Sequence, residues 1–150
     1  MRIVLVEPEI PQNTGNIARL CALTESELHL VGRLGFSINN YYLRRAGLDY
    51  WECLRVSHHQ SLEEFVESAE PKRFFYVTTK ASQLYTQVKY GWQDYLIFGS
   101  ETKGLPLELI RLNPETAIRI PMWGQKPRSL NLSNSAAIVL YEALRQIKGF

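Results

Sequence analysis

The sequence predicts an α/β domain on a mostly parallel sheet with helices on both faces, and three observations lead there. The chain has 150 residues of which 45% are hydrophobic, enough to enclose one core without disulfides or metals. Apolar runs of strand length alternate with helix-patterned segments. Several of those runs are almost continuously apolar, as strands buried on both faces are. Together they describe a single domain over residues 1–150.

The first strand is expected at residues 3–6, where Ile3, Val4, Leu5 and Val6 follow one another. A helix around residues 17–24 comes next, capped by Asn13 or Thr14, with Ile17, Leu20, Cys21 and Thr24 forming an i, i+3, i+4, i+7 stripe. Arg19 falls off that stripe. Residues 28–31 form the second strand and complete a β-α-β opening. Further strands are predicted at 53–56, 74–78, 95–98 and 117–120, and a final helix begins between Asn131 and Ser133. That helix sets Leu132, Ala136, Leu140, Ala143, Leu144 and Ile147 on one face, with Asn134, Tyr141 and Arg145 opposite. No long Pro/Gly/Ser linker, repeat or low-complexity tract divides the chain.

Composition removes several function classes. No apolar stretch approaches the ~18 residues of a membrane-spanning helix, and the N-terminus does not read as a signal peptide. Cys21 and Cys53 form no CxxC pair, and His29, His58 and His59 form no HExxH pattern. The expectation is therefore a reducing cytoplasm and no metal. The net charge is only +2, but residues 61–70 contribute Glu63, Glu64, Glu67 and Glu70 with no basic residue. The rest of the chain carries 17 basic against 11 acidic residues. Arg33, Arg44 and Arg45 form one basic cluster and Lys126 with Arg128 another, which fits either a phosphate backbone or two solvated faces.

Ligands of open α/β sheets bind beyond the carboxyl ends of the strands, which directs attention to three loops. The first runs from Glu7 through Asn13 and Gly15 to a helix bearing Arg19, and suits an anion as well as a plain capped helix. The second contains Gly99, Ser100, Glu101, Thr102, Lys103 and Gly104. It has the two glycines of a Walker loop, but Leu105 and Pro106 stand where Lys and Ser/Thr are needed, so a P-loop NTPase is excluded. No GxGxxG occurs either. The third loop, 121–135, carries Ser129, Asn131, Ser133, Asn134 and Ser135, more polar groups than one helix cap requires.

Together the three loops resemble the three motifs of the SPOUT methyltransferases. Residues 13–19 look like motif one, 96–106 like motif two, and 120–122 with 129–134 like motif three. Residues 43–50 and the absence of an added RNA-binding domain resemble the minimal TrmL branch, and the likeness covers essentially the whole chain. The resemblance implies a C-terminal trefoil knot, a homodimer, and S-adenosylmethionine as cofactor with S-adenosylhomocysteine as product. It also implies 2′-O-methylation of the wobble nucleotide, a cytidine or modified uridine, in the anticodon stem-loop of leucine tRNAs. Action at another tRNA or rRNA position, or an inactive RNA-binding module, is the alternative.

Carried onto this sequence, the resemblance assigns the cofactor to Val77, Thr78, Gly99, Glu101, Gly104, Ile120, Met122, Ser129 and Leu130. RNA falls to Asn13, Arg19, Arg44, Arg45, Lys126 and Arg128. Arg19, Ser129, Asn131 and Tyr141 are the candidate catalytic residues. A guanidinium stays protonated in proteins, so Arg19 is assigned to anchoring and orientation rather than to base catalysis. Tyr141 is either a hydrogen-bonding group or an aromatic interface residue. The segment from Trp123 to Pro127 departs from the motif-three pattern in being longer and bulkier.

Overall fold

A computed structural model describes residues 1–37, 54–70, 73–124 and 129–150. Seven strands, β1 (Arg2–Val6), β2 (Glu27–Val31), β3 (Val56–His59), β4 (Phe74–Val77), β5 (Gln83–Leu84), β6 (Tyr95–Phe98) and β7 (Ala117–Arg119), form one sheet in the order β3-β2-β1-β6-β4-β7-β5. Every strand pair is parallel. Helices α1 (Pro11–Leu23) and α4 (Leu132–Lys148) cover one face, and α2 (Leu62–Ser68) and α3 (Leu107–Leu112) the other.

Side chains alternate faces along a strand, and the apolar runs divide between two cores on that rule. Ile3, Leu5, Leu28, Leu30, Leu96, Phe98 and Ile118 point toward α1 and α4, where they meet Ile17, Cys21, Ala136, Val139 and Leu140. Val4, Val31, Tyr76, Tyr95, Ile97 and Ala117 point the other way, toward Phe65 of α2 and Ile110 of α3. All four residues of β6 are buried, as its central position demands. The predicted α4 stripe is buried or packed against the first core, with Val139 added to it, while Asn134, Tyr141 and Arg145 are exposed.

The structure corrects two expectations and adds one strand. Helix α1 begins at Pro11, with Ile10 at the N-cap and no side-chain cap, so Asn13 and Thr14 lie inside the helix and are buried. Proline lacks the N–H that a first-turn position leaves unpaired, and its fixed φ suits a helix start. The third strand is Val56–His59 rather than 53–56, because pairing with Leu28–Val31 selects Val56 to His59. Residue 53 lies outside the described residues. The two-residue β5 was not expected: its Gln83 and Leu84 are too short a run to show a period.

Helix α4 starts as expected. The Asn131 side chain accepts from the Ser133 and Asn134 N–H groups, and Gly149 closes the helix in the left-handed region at φ 74°.

Candidate active site

The parallel sheet gathers the carboxyl ends of β1, β4, β6 and β7 on one edge. There the following loops enclose a cavity of about 480 Å³, within the usual range for small-molecule sites. All nine residues assigned to the cofactor line it: Val77 at the end of β4 and Thr78 after it, Gly99, Glu101 and Gly104 after β6, Ile120 and Met122 after β7, and Ser129 and Leu130 before α4. Asn13 and Asn131 line it too. Apolar walls beside hydroxyls and backbone groups fit an adenosine with a short polar tail.

The β6–α3 loop is folded back on itself. Gly104 N–H donates to the Ser100 carbonyl at 2.9 Å, and these two residues form an isolated antiparallel bridge. A Cβ on Gly99 would lie 2.0 Å from the Gly104 carbonyl carbon and 2.2 Å from Leu105 N. Only glycine fits at 99, and Gly104 supplies the positive φ of 67° that turns the chain.

Carboxylates then tie the first two loops together. Glu101 accepts from Glu9 N–H at 2.8 Å, from Ile10 N–H at 3.2 Å and from Asn13 Nδ2 at 2.9 Å. Glu9 in return accepts from Thr102 N–H at 3.2 Å and Thr102 Oγ1 at 2.7 Å. The chain extends to the third loop, where Asn131 Nδ2 donates to Asn13 Oδ1 at 2.8 Å. Asn131 Oδ1 meanwhile caps α4. One hydrogen-bonded path thus joins all three loops.

This path bears on two assigned residues. Glu101 lines the cavity with its carboxylate already accepting from three protein N–H groups. Asn13 is 4% exposed and bonded at both ends of its amide. Arg19, on the exposed side of α1, and Tyr141, half exposed on α4, do not line the cavity. Arg44, Arg45, Lys126 and Arg128 lie outside the described residues. Among the described residues no group of three or more His, Cys, Asp or Glu is placed to hold a metal ion. None of their helices is long and apolar enough to cross a membrane.

Sequence reasoning missed the pairing of Glu9 with Thr102, which spans 93 positions and leaves no local signal. Of the two lysines at the cavity, Lys103 falls in the second loop and Lys80 in none of the three. Their only signal was position, since each follows a buried strand at its carboxyl end.

The SpoU rRNA Methylase family matches residues 1–141. The chain belongs to this methylase family. It is 49% identical to the tRNA (cytidine(34)-2′-O)-methyltransferase of Escherichia coli (strain K12), over 98% of this chain and 94% of that protein. The enzyme of the same name from Yersinia pestis is 48% identical, over 98% and 94%. A solved structure concerned with the 2-OH methylation of C/U34 on tRNA superposes with a TM-score of 0.93 at 39% identity, covering 99% of this chain and 97% of that one. The AdoMet-bound rRNA methyltransferase of Sinorhizobium meliloti superposes at 0.85 with 26% identity, covering 96% of this chain and 55% of that one. For this SpoU-family chain the expected parallel α/β architecture is thereby established.

Proposed function

We propose that this SpoU-family protein transfers a methyl group from S-adenosylmethionine to the ribose 2′-hydroxyl of nucleotide 34, a cytidine or modified uridine, in leucine tRNAs. The carrying observation is the meeting of all three motif loops in one cavity, in a chain about half identical to enzymes named for that reaction. The anticodon stem-loop is the RNA element recognised, and the cytoplasm is where such a substrate is met.

When bound, S-adenosylmethionine supplies an activated sulfonium methyl. Val77, Ile120, Met122 and Leu130, which line the cavity, would wall its site, and the Gly99–Gly104 turn would bring backbone groups close to it. Transfer to a ribose hydroxyl would release S-adenosylhomocysteine and a proton, and the part the chain's own residues would supply is to hold the hydroxyl oriented toward the methyl group. Ser129 and Asn131 stand at the cavity to orient the hydroxyl. Arg19, permanently charged, holds the RNA backbone from outside the cavity, and Arg44, Arg45, Lys126 and Arg128 are the further RNA-binding candidates in the sequence.

A homodimer is part of this reading. Leu23 on α1 and Ile138 and Tyr141 on α4 are exposed, on two helices packed against each other, as a surface that meets a second copy would be. The SPOUT trefoil knot belongs to the same reading. It rests on the resemblance of the three loops to the SPOUT motifs.

The deciding experiment incubates the protein with labelled S-adenosylmethionine and tRNA lacking 2′-O-methyl groups, then digests the RNA and maps the label by mass. Label on the ribose of nucleotide 34 in leucine tRNAs is expected. Label at another position moves the substrate, and no label alongside measurable cofactor binding refutes the activity. In the same assay Arg19→Ala is expected to abolish methylation and leave cofactor affinity within about twofold. Equal loss of both overturns Arg19's assignment to the RNA.

A further inference from the structure

Behind the β6–α3 loop lies a second crevice of about 710 Å³, formed where the chain leaves β1, β2 and β6. It shares Lys80, Ser100, Lys103, Gly104 and Leu105 with the cofactor cavity, so the β6–α3 loop together with Lys80 separates the two spaces. Three cations from three loops line it: Arg33 after β2, Lys80 after β4 and Lys103 after β6. None of them takes part in an ion pair among the described residues. Two carboxylates, Glu7 and Glu63, line it as well. Glu7, at φ 49°, packs its side chain over Gly32, where a Cβ would lie 3.0 Å from Glu7 Cγ. The crevice therefore has a net positive lining, with two of its cations, Lys80 and Lys103, on the wall shared with the first cavity.

We infer that this crevice is a binding subsite for the phosphodiester on the 3′ side of the methylated ribose, held by Arg33, Lys80 and Lys103. The inference rests on the RNA-methylating reading above and adds where the strand runs. The covalent structure of RNA supplies the reason. The 2′-hydroxyl and the 3′-phosphate sit on adjacent carbons of one ring, so a hydroxyl aligned on the methyl group in one cavity places a phosphate beside that cavity. Unpaired Lys and Arg side chains converging there meet that charge. Their separate origins in three loops let them hold a backbone without reading a base.

The test measures binding of unmodified tRNA transcript as salt is raised, for the wild type, Arg33→Gln, and the triple variant Arg33→Gln/Lys80→Gln/Lys103→Gln. Arg33 lines only the second crevice, which separates RNA effects from cofactor effects. All three side chains are exposed, so the variants are expected to fold, and urea unfolding checks this. Each lost phosphate contact should make the slope of log affinity against log salt shallower by roughly 0.7–0.9. One phosphodiester is at stake, so the expected result is a slope shallower by roughly 0.7–0.9 for the triple variant and by a part of that for Arg33→Gln. Calorimetry with S-adenosylmethionine alone should show unchanged affinity for Arg33→Gln. Unchanged salt slopes in both variants overturn the subsite while leaving the methylation reading intact. Loss of cofactor affinity in the triple variant with an unchanged slope also overturns it, assigning the lysines to the cofactor's carboxylate. A wild type that neither binds nor methylates tRNA overturns both.

Discussion

The middle of the sheet and its carboxyl edge are held by different physics. In the middle, β6 and its neighbours pack interchangeable aliphatic groups on alternating faces, and many small contacts share the stabilisation. At the edge, three loops meet through a few specific hydrogen bonds: Glu101 with the 9–13 segment, Glu9 with Thr102, Asn131 with Asn13. Packing tolerates substitution in proportion to the volume lost, whereas a carboxylate aimed at particular N–H groups has no near equivalent. The edge is therefore where a small chemical change alters function before it alters stability.

The largest effect should come from the middle. Leu96→Ala empties a fully buried site and is expected to cost about 2–5 kcal/mol of unfolding free energy, read from urea midpoints. Cofactor affinity, measured under conditions where the protein is folded, should change little. A selective loss of affinity would show that core and edge are not separable.

Acid should act next, through a polar exception inside the second core. His29 is packed among Phe65, Tyr95 and His59, with its Nδ1 3.1 Å from His59 Nε2. Its own Nε2 is buried 3.8 Å from the nearest Glu27 oxygen, too far for a hydrogen bond. Burial first, and then the His59 and Arg2 charges, lower its pKa from 6.5 to about 4, against the pull of Glu27. A lowered folded pKa means the unfolded chain takes up the proton first. Stability is therefore complete above about pH 6.5 and falls as pH drops from 6.5 toward 4, by up to about 3 kcal/mol. His29→Leu should flatten that dependence in urea titrations at several pH values. A dependence equally steep in the variant would assign it to other groups.

Smaller stability effects with larger functional ones are expected at the edge. Glu101→Gln turns an acceptor of three N–H groups into a group with one acceptor, costing about 1–3 kcal/mol. Much of this should appear as weaker S-adenosylmethionine binding, on the order of tenfold by calorimetry. Glu9→Gln keeps an acceptor for the Thr102 hydroxyl and should cost only about 0.5–1.5 kcal/mol. If Glu9→Gln impaired binding more than Glu101→Gln, the Thr102 side of the clasp would be the dominant one.

The same contrast explains what could be read in the sequence. β1, β2, β4, β6, β7, α1 and α4 were legible because burial on one face or two imposes a period, as at Ile3 through Val6 or across Ala136, Leu140 and Leu144. β3 was misplaced because Val56 to His59 is too polar to stand out; its partner in β2 fixes the register. The cofactor residues came from motif likeness, and the sheet brings all nine to one cavity. What the carboxylates do there was not legible. Glu9, Glu101 and Asn13 look like ordinary loop polar residues until residues some ninety positions apart are side by side.

The strand order has a consequence for how the protein is made. β1 begins at Arg2, yet its partner β6 begins at Tyr95, and β6 also supplies an edge of β4. On a ribosome adding ~5–20 residues per second, β1 waits roughly 5–20 s for that partner. During that interval the nascent chain carries open, apolar strand edges of the kind that pair with foreign strands. Until residues 95–98 have emerged, β1 and β4 each lack the strand that comes to lie between them.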